Sequence, residues 1–165
     1  MLDFDLTAEG LPELLRDLDN LDDLVLDEMA STMRRSVDVL EAAVVQRTPV
    51  GATSQARQGW GTSVERGIAA VKGTVANPVQ HTIFAEKGRA PGKMPPLAPI
   101  ELWVRRVLGV DPAKSRQVAF LVARAIGRRG TKGAHMAEEG LAAVRPQIQA
   151  DFEGVPARVA RRFER

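Results

Sequence analysis

Residues 84–103 read FAEKGRAPGKMPPLAPIELW, and this stretch fixes the path of the backbone between two regular elements. Gly88 and Gly92 can adopt positive φ angles without a steric penalty. Proline rings fix φ and have no amide hydrogen to donate, and the prolines of this stretch are Pro91, Pro95, Pro96 and Pro99. The stretch therefore predicts a shaped, rigid loop and excludes strand pairing through it.

This loop is suited to docking, because a rigid surface loses little freedom when a partner binds. The prediction is that it carries Arg89 and Lys93 outward. The loop ends at Pro99, a favourable first residue for the helix that holds Trp103.

Three motifs, taken in order, resemble those of tailed-phage neck proteins of the tail-completion or minor tail family. The first is Arg47-Thr48-Pro49-Val50 at the end of a long N-terminal helix. The second is the loop itself, in which an acidic residue precedes Gly-Arg, Pro-Gly-Lys-Met-Pro-Pro and an apolar helix with a Trp. The third is Gly130-Thr131-Lys132-Gly133, ahead of a final helical segment that begins near Met136. The resemblance covers roughly residues 30–150 and rests on the order and spacing of the motifs together.

The chain departs from the family pattern at two points. Residues 51–57 read GATSQAR where family members commonly carry a Thr-Gly pair and a Leu-Arg-like step, and Phe84-Ala85 stands where the family tends to have Tyr-Ala. Contacts that this glycine or a tyrosine hydroxyl would make are therefore not carried over to this chain.

The resemblance implies a virion structural protein at the head–tail junction, made in the host cytoplasm, whose work is binding and not catalysis. It implies a homo-oligomeric ring that joins the tail to the DNA-filled head through contacts with the tail terminator, the tail tube and the head connector. The residues expected to form the assembly loop are Glu86, Gly88, Arg89, Pro91, Gly92, Lys93, Pro95 and Pro96, with basic contacts from Arg128, Arg129 and Lys132. In the family pattern Glu86 stands at the loop entrance, where pairing with Arg89 or capping of a backbone turn is favoured over acid catalysis. A tail terminator or connector subunit, and a basic DNA-binding accessory protein, remain as alternatives.

The charge of the chain is unevenly distributed. Residues 1–45 hold twelve acidic and three basic side chains, a net charge of −9, whereas residues 46–165 hold nine and twenty, a net charge of +11. Opposite charges on one subunit favour heterologous contacts that close into a ring if the rotation permits. The alternative is that both regions are solvated faces.

Composition excludes several classes of site. There is no Cys, and His81 and His135 are the only histidines, so a disulfide framework, a thiolate metal site and an all-histidine zinc centre lack ligands. The chain has no Gly-x-Ser-x-Gly elbow and no Gly-rich phosphate loop. We therefore expect no enzymatic activity and no cofactor. A membrane anchor is not expected, because no apolar run approaches about 20 residues and the N-terminus lacks a basic start.

Nucleic-acid binding has weaker support. Arg124, Arg128, Arg129 and Lys132, with the C-terminal arginines, could contact DNA phosphates non-specifically in the channel of a ring. Only seven Phe and Trp residues are present, mostly at core-like positions, so a platform for stacking on bases is not expected.

Hydrophobic periodicity predicts a single α+β domain over residues 1–165, with a long N-terminal helix, a small antiparallel sheet and several C-terminal helices. A brief strand at Leu2–Leu6 and a short helical stretch from Thr7 precede the long helix, which runs from Leu21 for about seven turns. A hairpin follows at residues 59–77. Residues 79–87 could form a further strand or a short helix, and the family resemblance implies the helix. Residues 153–165 are predicted to be either an exposed helix or a flexible basic tail. The predicted structural anchors are Pro49, Trp60 and Trp103.

Further helices are expected after the loop. Asp111 and Pro112 are suited to the N-cap and first position of a helix whose apolar stripe would be Val118, Leu121, Val122, Ala125 and Ile126. In the last long helix, the ring of Pro146 should cause a kink unless the helix starts there.

Overall fold

The computed structural model describes residues 21–163 and has an α+β fold with the predicted long N-terminal helix, small antiparallel sheet and several C-terminal helices. The predicted strand at Leu2–Leu6 and the stretch from Thr7 lie outside the described residues. The helices are α1 (Leu21–Arg47), α2 (Gln55–Gln58), α3 (Thr82–Lys87), α4 (Leu97–Arg106), α5 (Pro112–Arg129), α6 (Met136–Glu153) and α7 (Val155–Phe163). The strands are β1 (Gly61–Arg66), β2 (Val71–Ala76), β3 (Gly88–Arg89) and β4 (Thr131–Lys132).

Helix α1 has the predicted start and end. Asp22 and Asp23 lie in its first turn, where carboxylates favour the positive end of the helix dipole. At the other end, Thr48 precedes Pro49 and leaves the helical region. The Thr48 hydroxyl donates to the carbonyl of Val44 at 2.8 Å, which satisfies an acceptor that the last turn would otherwise leave open.

The described chain divides into two compact units. We call residues 21–36, 64–73 and 146–163 the terminal unit, and residues 37–63 and 74–145 the central unit. The hairpin of β1 and β2, predicted at residues 59–77, contributes its turn to the terminal unit and its open end to the central unit. Helix α6 runs through Pro146, so the predicted alternative of a helix that starts at this proline is wrong.

The terminal unit is built on polar contacts as well as apolar ones. In the hairpin, Arg66 contacts Asp23 at 2.7 Å and Asp27 at 3.1 Å. The hydrogen bond that Arg66 donates to Asp23, together with the charges of both carboxylates, raises the pKa of Arg66 above its ordinary value. The C-terminal segment is a helix, α7, which buries Val155 and Val159. Of the two predicted alternatives for this segment, the structure therefore has the helix over residues 155–163.

A buried ion pair joins α7 to α1 within this unit. Glu28 is only 7% exposed, and one of its carboxylate oxygens lies 2.6 Å from Nε of Arg158. The same guanidinium donates to Thr32 Oγ1 and to the carbonyl of Asp151, each at 2.8 Å. Arg162 and Arg35 lie farther from Glu28, at 3.4 and 3.8 Å. No sequence signal distinguished Glu28 from the other acids of the N-terminal region, since its helical position reads equally well as solvated.

In the central unit, α4 and α5 pack closely through small residues. Val104 of α4 is fully buried, and α5 buries residues at every fourth position, namely Ser115, Ala119, Ala123 and Gly127. The predicted stripe on α5 is correct only in part: Val118, Val122 and Ile126 are half-buried beside this row, whereas Ala125 is exposed and Leu121 is 57% exposed. The fully buried row consists of small side chains, which let a neighbouring backbone approach closely.

The first residues of α4 and α5 can be compared with the predicted ones. Asp111 is the N-cap of α5, and its carboxylate accepts from the amide of Ala113 at 2.7 Å, with Pro112 at the first position as predicted. Helix α4 begins at Leu97 with Pro96 as its N-cap, two residues before Pro99. The prediction that Pro99 opens this helix is therefore wrong, because a proline is tolerated anywhere in a first turn, where amides have no helical acceptor.

Within residues 21–163, no helix is both long enough and apolar enough to cross a membrane.

Candidate docking site

The proline-rich loop is held by a second segment of the central unit. We call residues 84–96 the braced loop and residues 127–137 the bracing segment. Strand β3 pairs antiparallel with β4, with Gly88 opposite Lys132 and Arg89 opposite Thr131. Two further backbone bonds continue the contact, from the amide of Ala134 to the carbonyl of Ala85 at 2.7 Å and from the amide of His135 to the carbonyl of Glu86 at 3.1 Å.

The expectation that this stretch forms no strand pairing is wrong. The prolines that would block a ladder begin only at Pro91, and Gly88 and Arg89 precede them with their amide hydrogens intact. The pairing partner, β4, lies in the Gly130–Gly133 motif. The structure thus brings together two of the three motifs that carried the family resemblance.

Glycines allow the two segments to approach at backbone distance. Gly88 and Gly130 have φ angles of 74° and 72°, which other residues rarely adopt. A β-carbon on Gly88 would overlap the carbonyl oxygen of Thr131, and one on Gly130 would overlap that of Arg89. A β-carbon on Gly133 would overlap the carbonyl oxygen of Glu86. The predicted positive φ at Gly88 is confirmed, and side chains are excluded from this crossing.

Glu86 caps a helix. Its carboxylate accepts a hydrogen bond from the amide of Ala137 at 3.1 Å, in the first turn of α6. A carboxylate at this position both satisfies a free amide and interacts favourably with the helix dipole. Of the two predicted roles, capping is the one in the structure, and Arg89 makes a different contact.

Arg89 and Gly92 brace the loop from within. Residue Arg89 is half-buried, and its guanidinium donates to the carbonyl of Lys93 at 2.5 Å at the surface of the loop, whereas Lys93 is exposed as predicted. The amide of Gly92 donates to the carbonyl of Gly127 at 2.7 Å, which fastens the loop to the end of α5. The loop is therefore held by these two hydrogen bonds as well as by its prolines.

The site is rich in exposed positive charge. The exposed cations of the two segments are Lys87, Lys93, Arg128, Arg129 and Lys132. Among residues 21–163, none of them lies within 4.0 Å of a carboxylate oxygen. This concentration of exposed positive charge favours an anionic partner.

Apolar surface lies beside this charge. Phe84 is 59% exposed and Ile83 is 54% exposed. Phe84 lines two open grooves, with volumes of about 690 and 230 Å³. The larger is lined by residues that include Trp60, Val75, Val79, Ile83 and Phe84, and the smaller by Phe84, Arg89, Pro95, Ile100, Ile126 and Thr131. The sequence analysis missed this feature, because nothing in the sequence indicates that the side chains of Ile83 and Phe84 are exposed.

The predicted anchors have different surroundings. Trp60 is half-buried, and its indole N–H donates to Thr48 Oγ1 at 2.9 Å, which links the hairpin to the end of α1 within the central unit. Trp103 is half-buried on α4. Pro49 is exposed and acts through the backbone at the end of α1. A tryptophan with a bonded N–H fits the predicted anchoring role.

The arrangement offers binding surface and no evident catalytic constellation among residues 21–163. His81 and His135 are both exposed, and the nearest carboxylate to His135 is Glu138 at 3.4 Å. The described residues contain no cluster of three or more His, Asp or Glu placed to hold a metal ion. Comparison with protein-family models, with curated proteins and with solved structures yields no match. The function of the chain therefore has to be inferred from this site.

Proposed function

We propose that this protein is a virion structural subunit of the phage head–tail interface, a tail-completion or neck-ring protein that works by binding its neighbours. The observation that carries the proposal is the braced loop, where a fixed backbone presents exposed cations beside exposed Phe84 and Ile83. Such a surface is organised before a partner arrives, so little conformational entropy is lost on binding.

The charge distribution supports assembly into a ring. Exposed carboxylates of α1, at Asp22, Asp27 and Asp38, contrast with the exposed cations of the braced loop and bracing segment. A contact that joins an acidic surface of one copy to the basic surface of the next uses two different patches of the chain. Heterologous contacts of this kind generate rings when the rotation closes. A tail terminator or connector subunit that assembled through the same surfaces is the alternative.

Deletion of the gene from the parent phage or prophage tests the role directly. We expect electron micrographs of the lysate to show DNA-filled heads beside unattached tails, with normal particles restored by a plasmid copy. Intact infectious particles from the deletion strain would overturn the neck assignment. Binding to duplex DNA with an affinity that falls steeply with salt would then favour the accessory DNA-binding function, carried by Arg124, Arg128, Arg129 and Lys132.

Charge reversal tests the surface itself. We expect the triple variant Lys93→Glu, Arg128→Glu, Arg129→Glu to reduce phage titre by about two orders of magnitude, because each reversed interface charge costs on the order of 1 kcal/mol. These side chains are exposed, so the thermal unfolding temperature should change little.

A matched control is available for this variant. The triple variant Arg34→Glu, Lys114→Glu, Arg145→Glu changes the net charge equally at exposed positions outside the braced loop and the bracing segment. It should complement the deletion as well as the natural sequence does. Equal titres from the two triple variants would show that the braced loop does not form the contact.

A further inference from the structure

We propose that the larger groove beside Phe84 binds the acidic N-terminal segment, residues 1–20, of a second copy of this chain. The inference deepens the ring assembly proposed above and rests on it, because it names the partner that the basic surface receives.

The groove provides an apolar surface of the right kind for a peptide segment. Its walls come from the end of β2, the connection that follows it and helix α3. Ile83 and Phe84 keep more than half of their side-chain surface exposed there. Large apolar side chains gathered at an open groove mark a contact site more often than scattered ones do.

The charge on the segments beside the groove favours an acidic occupant. Among the described residues that line the groove itself, Glu86 is the charged one, whereas residues 83–93 and 127–139, which lie next to it on the braced loop and bracing segment, together hold six Lys or Arg against three Glu. One of the three, Glu86, already accepts from the amide of Ala137, and another, Glu138, faces His135. A segment that carried carboxylates at intervals between apolar side chains would satisfy the cations and fill the groove together.

Residues 1–20 have this composition. They read MLDFDLTAEGLPELLRDLDN, with six acidic residues against one arginine. Apolar side chains lie between the acids, at Leu2, Phe4, Leu6, Leu11, Leu14, Leu15 and Leu18. Both properties that the groove requires are therefore present in one short stretch of the same chain.

The length of this segment is sufficient to reach a neighbour. It joins α1 at Leu21, and twenty residues can span up to about 65–70 Å when extended. In a head-to-tail ring, every copy would supply one segment and receive one, so no groove is left empty when the ring closes. A second copy is therefore the proposed occupant, because the chain carries both the acidic segment and the groove that would receive it.

The sequence contains no cysteine, so cysteines introduced for cross-linking are the only thiols that can react. One full-length variant carries Phe4→Cys, or Leu14→Cys in a second set, and a size-tagged partner carries Ile83→Cys. The control partner carries Leu121→Cys, which is equally exposed but does not line the groove. With a short bismaleimide, we expect heterodimer yield with Ile83→Cys to exceed that with Leu121→Cys by about tenfold, the ratio that 1.4 kcal/mol of preference produces.

Electrostatics supplies a second readout. Lys87→Glu together with Lys132→Glu in the Ile83→Cys partner should lower the cross-linked yield by about tenfold, and so should a rise from about 0.05 to about 0.5 M salt. The substituted side chains are exposed, so the fold is retained.

Three outcomes would overturn the inference. Equal yields with Ile83→Cys and Leu121→Cys, from both positions in the segment, would show that the groove is not the binding site. Yields insensitive to charge reversal would remove the electrostatic basis. A chain with both Phe4→Cys and Ile83→Cys that cross-links internally at any dilution would place the segment on its own groove. Failed cross-linking combined with unjoined heads and tails in the deletion strain would contradict the groove contact and leave the neck assignment standing. Cross-linking at the groove combined with intact particles from the deletion strain would contradict the neck assignment and leave the groove contact standing.

Discussion

Replacement of Gly88 by alanine is expected to lower the free energy of unfolding by about 3 kcal/mol or more, one of the two largest losses of stability that we expect from a single substitution in this chain. Two causes act together. Gly88 has a φ of 74° and a ψ of −170°, a region that residues with a side chain essentially do not occupy. In addition, the new methyl group would overlap the backbone of Thr131 and Gly133.

Alanine substitutions at other glycines distinguish the unfavourable backbone conformation from the steric overlap. Gly133→Ala introduces an overlap with the carbonyl of Glu86 at a residue without positive φ, whereas Gly92→Ala places a side chain in open space at a φ of 156°. Gly61→Ala introduces neither, since nothing lies within 4 Å and its φ is ordinary. We expect Gly88→Ala to be the most destabilised of the four and Gly61→Ala to lie within about 0.5 kcal/mol of the natural protein.

Urea unfolding of the four variants measures this order. Gly88→Ala with the stability of Gly61→Ala would mean that the braced loop and bracing segment do not cross at backbone distance. If Gly88→Ala folds at reduced temperature but fails to complement the deletion strain, the loop geometry itself is required for assembly, beyond its part in stability.

The braced loop also shows how far the sequence could predict the site. Prolines and glycines have strong local preferences, so the shaped loop, the positive φ at Gly88 and the helix over Asp111–Pro112 followed directly from residue type. The pairing of β3 with β4 did not follow, because each strand has two residues and about 42 residues separate them. Strands this short have no periodic pattern to recognise.

Burial was predicted less well than secondary structure, and α5 shows why. Its large apolar residues predicted the packed face, yet Val118, Val122 and Ile126 are only half-buried, and the fully buried row is Ser115, Ala119, Ala123 and Gly127. A pattern of hydrophobicity records which side chains favour burial, whereas close helix packing is decided by which side chains leave room for another backbone. The exposure of Leu121 was missed for the same reason.

Replacement of Arg158 by methionine is expected to cost about 3 kcal/mol, because it leaves the carboxylate of Glu28 buried without its closest partner. Arg162 and Arg35 lie 3.4 and 3.8 Å from that carboxylate and compensate only in part. Glu28→Met should cost less, because Arg158 is 30% exposed and its guanidinium can reach water.

The double variant Glu28→Met, Arg158→Met distinguishes the cost of breaking the pair from the value of having it. Buried ion pairs replaced on both sides by apolar residues are often neutral or stabilising, so the double variant should be more stable than Arg158→Met alone. Arg161→Met is the control, since it lies on the same helix and its Nε donates only to the carbonyl of Ala157. It should change stability by less than about 0.5 kcal/mol.

Urea unfolding of these variants at neutral pH gives the coupling energy between the two side chains, which we expect to be about 2 kcal/mol. A coupling near zero, or an Arg158→Met variant as stable as Arg161→Met, would show that α7 is held by Val155 and Val159 alone. A large coupling would mean instead that the pair specifies where α7 packs on α1, because an unpaired carboxylate at Glu28 penalises every arrangement that moves Arg158 away. In that case Glu28 and Thr32 fix the position of α7 on α1 more than they raise the free energy of unfolding. The double variant would then be stable, but the amide hydrogens of α7 would exchange faster than in the natural protein.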